Sequence, residues 1–160
     1  MAKSILSNES YTSLIWKIAL GSFLSWEISR HFGSDHPYLA PLSIIICIQA
    51  TTDKTVSLAI SRIIGTIIGI PIVVLITNHL HVHGWSLGLL ILLGGYISKW
   101  LKLDQSVMHQ VALTILLVFV FEKQSEHYAW DRMIDTIIGV MVAVILQYIW
   151  GFLSKLREIK

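Results

Sequence analysis

The stretch Arg62-Ile63-Ile64-Gly65-Thr66-Ile67-Ile68-Gly69 returns seventy residues later as Arg132-Met133-Ile134-Asp135-Thr136-Ile137-Ile138-Gly139, with six of the eight positions identical. Ile and Gly recur by chance in apolar sequence, but a shared Arg and Thr at the same spacing do not follow from composition. The same offset lays the flanking apolar runs over one another, three runs on each side of a polar hairpin at 78–84. Self-similarity at a fixed offset marks a repeated unit. Three membrane crossings per unit, an odd number, put the two units in opposite orientations, as in many transporters.

That the runs are crossings follows from where charge is missing. Residues 63–98 hold no Lys, Arg, Asp or Glu, and neither do 36–52, 105–121 or 136–154. A helix needs about 20 mostly apolar residues to span a hydrocarbon core about 30 Å thick. The runs are long and continuous, unlike the ten-residue alternation of barrel strands, so they read as helices. Spans are expected at about 11–32, 38–52, 55–77, 84–101, 107–121 and 129–153. The expected fold is therefore all-α: a polytopic membrane protein with six transmembrane helices as two inverted three-helix repeats. It forms a single membrane domain over 1–160, with repeat one at about 11–77, repeat two at about 84–153 and a basic cytoplasmic tail at 154–160. The second and fifth spans are short, and short spans at matching places in two halves often mark a transporter's binding site.

Composition agrees. The 160 residues are 54% hydrophobic and 14% charged, with mean hydropathy +0.69. So little polar surface excludes a disordered chain and argues against an ordinary soluble enzyme. The net charge of +2 is too small to suggest nucleic acid as a partner. Cys47 is the single cysteine, so no intrachain disulfide can form. Phosphate-binding, dinucleotide-binding, zinc-protease and nucleophile-elbow motifs are missing, so neither an enzymatic reaction nor a cofactor is expected. With the N-terminus inside, Lys3, Lys54, Lys99, Lys102, Lys155, Arg157 and Lys160 fall on the inner side and Arg30 and Lys123 on the outer. That asymmetry places both termini in the cytoplasm. Lys17 lies within the first apolar run, which makes that run a retained helix and not a signal peptide.

Residues three and four apart share a helix face. One face of the third span carries Arg62, Gly65, Thr66, Gly69 and Val73; the matching face of the sixth carries Arg132, Asp135, Thr136, Gly139, Ala143 and Gln147. Gly65, Gly69 and Gly139 let backbones approach, so both faces should turn into the bundle. Pro71 frees a carbonyl one turn back and can kink the third span. Arg62 and Arg132 admit two readings. Each can anchor a helix by reaching to the headgroups, or face a cavity and grip a carboxylate with its planar fork. Asp131 and Asp135 can match part of the Arg132 charge. Lys17, Thr66 and Thr136 complete the candidate substrate-binding set. Asp135 and Glu27 are the candidates for proton coupling, although Glu27 can instead pair with Arg30 at i+3. His79, His81 and His83 alternate, which aligns them only on an extended strand, with no Cys or carboxylate near; a polar loop is the better reading and no metal site is expected. The tryptophans fall mostly at span ends, as in an aromatic belt.

The Arg62–Gly69 motif, the Lys-bearing first run, the Arg132–Gly139 echo and the Pro37-Tyr38-Leu39-Ala40-Pro41 turn together resemble the fusaric acid resistance-like (aromatic acid exporter) family over about 14–153. The resemblance implies a bacterial inner-membrane unit that exports aromatic carboxylic acids on the proton gradient. Its matching positions are Lys17, Arg62, Gly65, Thr66, Gly69, Arg132, Asp135 and Gly139. Many relatives carry a cytoplasmic domain or a second bundle after the first, which implies here a homo-oligomer or a partner subunit. A small organic anion and the bilayer are the other expected partners. The rival reading is a non-transporting membrane scaffold or a subunit of a larger transport complex. A passive channel is a third.

Overall fold

The computed structural model describes residues 2–77, 83–121 and 127–158, and the side chains within 11–76, 83–121 and 127–153. Those residues form six helices and no strand: α1 (Ala2–His31), α2 (Leu39–Cys47), α3 (Thr52–Thr77), α4 (Gly84–Trp100), α5 (Gln105–Phe121) and α6 (Tyr128–Glu158). The order is that of the six apolar runs. Two segments are long and apolar enough to cross a membrane: Thr52–Ile76, with mean hydropathy 2.3, and Tyr128–Leu153, with 2.1. Gln105–Phe121 is apolar but shorter. His79, His81 and Lys123 lie outside the described residues.

One expectation is corrected. The second run was to cross over about 38–52, but α2 has only nine residues, about 14 Å at 1.5 Å per residue and half of a hydrocarbon core. Its last turn is rich in β-branched Ile, a modest helix former. The chain turns extended at Ile48, with φ −68° and ψ 125°. The break is held locally, because the Gln49 N–H donates to Thr55 Oγ1 at 2.9 Å. At the other end α6 continues through Glu158, so much of the expected tail is helical. α3 runs unbroken through Pro71.

The distribution of polarity is inverted relative to a water-soluble fold. Arg62, Arg132 and Asp135 are fully buried, while Leu75 is 74% exposed and Trp100 81%. Large apolar side chains also face outward at Phe23 on α1, Leu89 on α4, Leu116 on α5 and Met141 and Phe152 on α6. Exposed apolar surface on this scale is untenable in water and natural in lipid.

The chain divides into two compact units. The first comprises Met1–Ala59 and Ile137–Lys160: α1, α2, the start of α3 and the larger part of α6. The second comprises Ile60–Thr136: the rest of α3, α4, α5 and the first turns of α6. In the first unit the core is Leu39, Ala40, Ile44, Cys47 and Ile48 with Val140 and Ala143. In the second it is Val73, Leu90, Val107, Val111, Ile115, Val118 and Phe119.

Each unit is assembled with the same local devices. α1 buries every fourth residue at Lys17, Gly21, Ser25 and Ser29, and α4 does so at Ser86, Leu90, Gly94 and Ser98. Each strip ends, four residues on, at a left-handed residue that closes the helix: Gly33 (φ 80°) and Lys102 (φ 56°). The hydrogen bonds also correspond. Ser34 N–H donates to Ser29 O and Gly33 N–H to Arg30 O; Leu103 N–H donates to Ser98 O and Lys102 N–H to Lys99 O. This is the six-to-one and five-to-two pattern that satisfies orphan carbonyls at a helix end.

Candidate functional site

The α3 face read from the sequence is buried throughout, at Arg62, Gly65, Thr66, Gly69 and Val73, while Ile60 and Ile67 point outward. The α6 face is buried likewise, at Arg132, Asp135, Thr136, Gly139, Ala143 and Gln147. Residues 60–69 and 130–139 have the same pattern of buried, half-buried and exposed positions, residue for residue. A small residue at the contact point explains how these helices pack. A Cβ on Gly69 would lie 2.8 Å from Thr114 Cβ and 3.2 Å from Val111 O on α5. A Cβ on Gly139 would overlap the Ala40 carbonyl oxygen and lie 2.6 Å from Ser43 Cβ on α2. In both cases glycine meets a backbone oxygen and, three residues on, the Cβ of a hydroxyl residue. Gly65 in turn admits Gln110, whose Cβ occupies the space a side chain there would need.

That approach delivers Gln110 to Arg62. Arg62 Nη1 donates to Gln110 Oε1 at 2.7 Å, and Thr66 Oγ1 donates to the Arg62 carbonyl at 2.9 Å. A hydrogen bond from a charged donor at this length stabilises by about 1.5–3 kcal/mol. Gln110 was not singled out in the sequence. Its signal is a glutamine beside His109 in the first turns of the fifth run, which has no meaning until the glycine opposite it is known. Arg132 and Asp135 are both 0% exposed, and Asp131 is 9% exposed. They share one face of α6 by their spacing. Thr136, unlike its counterpart Thr66, makes no hydrogen bond through Oγ1 among the described residues.

Seven of the predicted site residues, Arg62, Gly65, Thr66, Gly69, Arg132, Asp135 and Thr136, thus belong to the second unit. Both guanidiniums are withdrawn into protein. Lys17, Glu27 and Gly139 belong to the first unit. Lys17 is 4% exposed; its Nζ donates to Gln147 Oε1 at 3.0 Å and lies 3.5 Å from the Gln49 carbonyl oxygen, within the break after α2. Glu27 and Arg30 are exposed on α1. Two open surface hollows lie elsewhere. One is lined by Glu27, Arg30 and His31 of α1 and by Phe32 just after it, the other by Gly95, Ser98, Lys99 and Met108 of α4 and α5; no buried cation lines either. Among the described residues no cluster of His, Cys, Asp or Glu could hold a metal ion.

Apolar side chains outside, charged and amide side chains inside, and glycine at each close helix crossing define an integral membrane protein of helical type. The sequence profile of the fusaric acid resistance protein-like family matches residues 24–146, most of the chain. The chain belongs to that family. The matched stretch contains both arginine motifs and Gln110, and leaves out Lys17 and Gln147, which lie beyond its two ends. No curated protein and no solved structure matches the chain.

Proposed function

We propose that this protein is a secondary exporter of small organic acids, aromatic acids foremost, in the bacterial inner membrane, with six crossings in two inverted repeats, the second crossing part helix and part extended chain, and both termini in the cytoplasm. The observation that carries the reading is the pair of fully buried arginine faces, alike in burial and in glycine packing at an offset of seventy residues. The matching buried strips and closing turns of α1 and α4 support the repeat further. Burying a permanent cation is costly, and evolution's usual use of one inside a membrane protein is a substrate or ion path.

In this reading the guanidiniums of Arg62 and Arg132 attract the carboxylate, with Thr66 and Thr136 adding donors, and Lys17 offers the same class of substrate a cation in the first unit. Asp135 is the proton-coupling group. Ionised, it matches the charge of Arg132, one turn away on the same face; protonated, it leaves that charge to the substrate. Glu27 is the weaker candidate because it is exposed. Glycines 65, 69 and 139 act by packing. The bilayer and a second copy or partner subunit are the other proposed partners. The test is efflux of a radiolabelled aromatic acid from vesicles under an imposed proton gradient. Wild type should export, Arg62→Ala and Arg132→Ala should fall at least about tenfold, and Asp135→Asn should lose the dependence on the gradient. No export by wild type removes the function; equal rates in all variants remove the roles.

The second reading, a non-transporting scaffold or subunit of a larger transport complex, is favoured by one observation: among the described residues, the buried cations line neither of the two hollows described above. Crosslinking to a partner, with no substrate-dependent thermal shift, would support it.

A further inference from the structure

We propose that Lys17, Gln147 and the chain break after α2 form an anion-binding station of their own in the first unit, suited to a monocarboxylate. Three observations carry it. Lys17 is buried, and its two hydrogen-bond acceptors among the described residues are neutral: the Gln147 side-chain oxygen at 3.0 Å and the Gln49 carbonyl at 3.5 Å. Every other charged side chain described in this unit, Glu27, Arg30, Asp35, Asp53 and Lys54, is exposed. The second unit, by contrast, buries Arg62 and Arg132 together with Asp131 and Asp135, two charges of each sign. A buried ammonium held only by neutral oxygens keeps its positive field, whereas a carboxylate neighbour would cancel it.

The station is built rather than incidental. Gly21, one turn after Lys17, seats α1 on the end of α2 and on α6: a Cβ there would lie 3.0 Å from Ile44, 3.3 Å from Leu146 and 3.4 Å from Ile48. Gly139 brings α6 onto α2 two turns before Gln147. At the matching place on α4 stands Ser86, a neutral residue. An ammonium has three donors; two meet these oxygens, and the third is the donor proposed for the anion. The carboxamide of Gln147 is a positioning group: it orients the ammonium without discharging it. A plain structural role exists beside this one, in which Lys17 merely satisfies a carbonyl where α2 ends. The two roles predict different outcomes for Gln147→Glu.

The station deepens the transport reading but is tested by binding, so the two can fail separately. The protein in lipid nanodiscs is titrated with radiolabelled benzoate, with benzamide as the uncharged isostere. Wild type should bind benzoate and not benzamide. Gln147→Glu, which supplies an internal carboxylate, should weaken benzoate at least about tenfold while the melting midpoint stays equal or rises. Lys17→Met should abolish binding with the midpoint unchanged, and Lys17→Arg should restore part of it. No benzoate binding by wild type up to roughly 10 mM, equal affinity for benzamide, or wild-type affinity in either Gln147→Glu or Lys17→Met overturns the station. If Gln147→Glu lowers the midpoint, Lys17→Met decides alone. Lys17-dependent binding without efflux from vesicles leaves the station standing and removes transport. Efflux that survives both variants does the reverse.

Discussion

In the second unit two buried guanidiniums share the interior with two buried carboxylates, Asp131 and Asp135; in the first, the single buried charge among the described side chains is the Lys17 ammonium, held by amide oxygens. Both units nevertheless use the same construction: a buried strip every fourth residue on α1 or α4, a left-handed closing turn, and a glycine of a long helix pressed against α2 or α5. The difference teaches that shared packing does not impose shared electrostatics. Packing depends on side-chain volume at contact points, which a glycine in each unit supplies. Charge balance depends on one or two positions, and one of these differs between the units: Lys17 stands where the second unit has Ser86.

The largest effect tests the shared construction. Gly139→Ala should cost about 3 kcal/mol or more, because its Cβ meets the rigid Ala40 carbonyl; Gly21→Ala meets only side-chain ends and should cost about 1 kcal/mol or less. Denaturation in mixed micelles reads both. Equal losses would mean that α6 does not rest on α2 as described. The next effect tests the difference between the units. Gln110→Leu removes the 2.7 Å bond to Arg62 and should cost about 1.5–3 kcal/mol. Lys17→Met in the first unit should be close to neutral, since an apolar side chain of similar length replaces a buried charge with no opposite charge beside it. A large loss from Lys17→Met would make the lysine a structural clamp and bring the two units' electrostatics together. The smallest effect returns to the closing turns. Lys102 holds the left-handed conformation that Gly33 holds in the first unit, so Lys102→Gly should stabilise by about 0.5–1 kcal/mol, and Gly33→Ala should destabilise by a similar amount. Thermal melts of the two variants check the signs.

Much of the architecture was legible in the chain. The apolar runs, charge-free over much of all but the first, marked where helices lie because a bilayer tolerates few charges over about 20 residues, and all six appear in order. The arginine motif and its echo identified two helix faces, and both are buried, because i+3 and i+4 neighbours share a face whatever the tertiary fold. The family followed from the same motif. What was not legible is instructive. The nine-residue length of α2 was hidden, because an apolar run reads alike as helix or as helix followed by an extended segment. The partners of the cations were hidden too: Gln110 lies 48 residues from Arg62, and Gln147 lies 130 from Lys17. Lys17 read like the arginines, as one more membrane-embedded cation, and nothing in its own run separates it from them.

By itself, the sequence determined the environment, the helical class, the polar faces and the family, because each of these depends on local period and on the exclusion of charge from lipid. Only the tertiary structure decided which groups meet. Glycines set how closely helices approach, and that distance of closest approach, which no period encodes, chose a neutral glutamine for Lys17, another for Arg62, and one compact unit for both buried arginines.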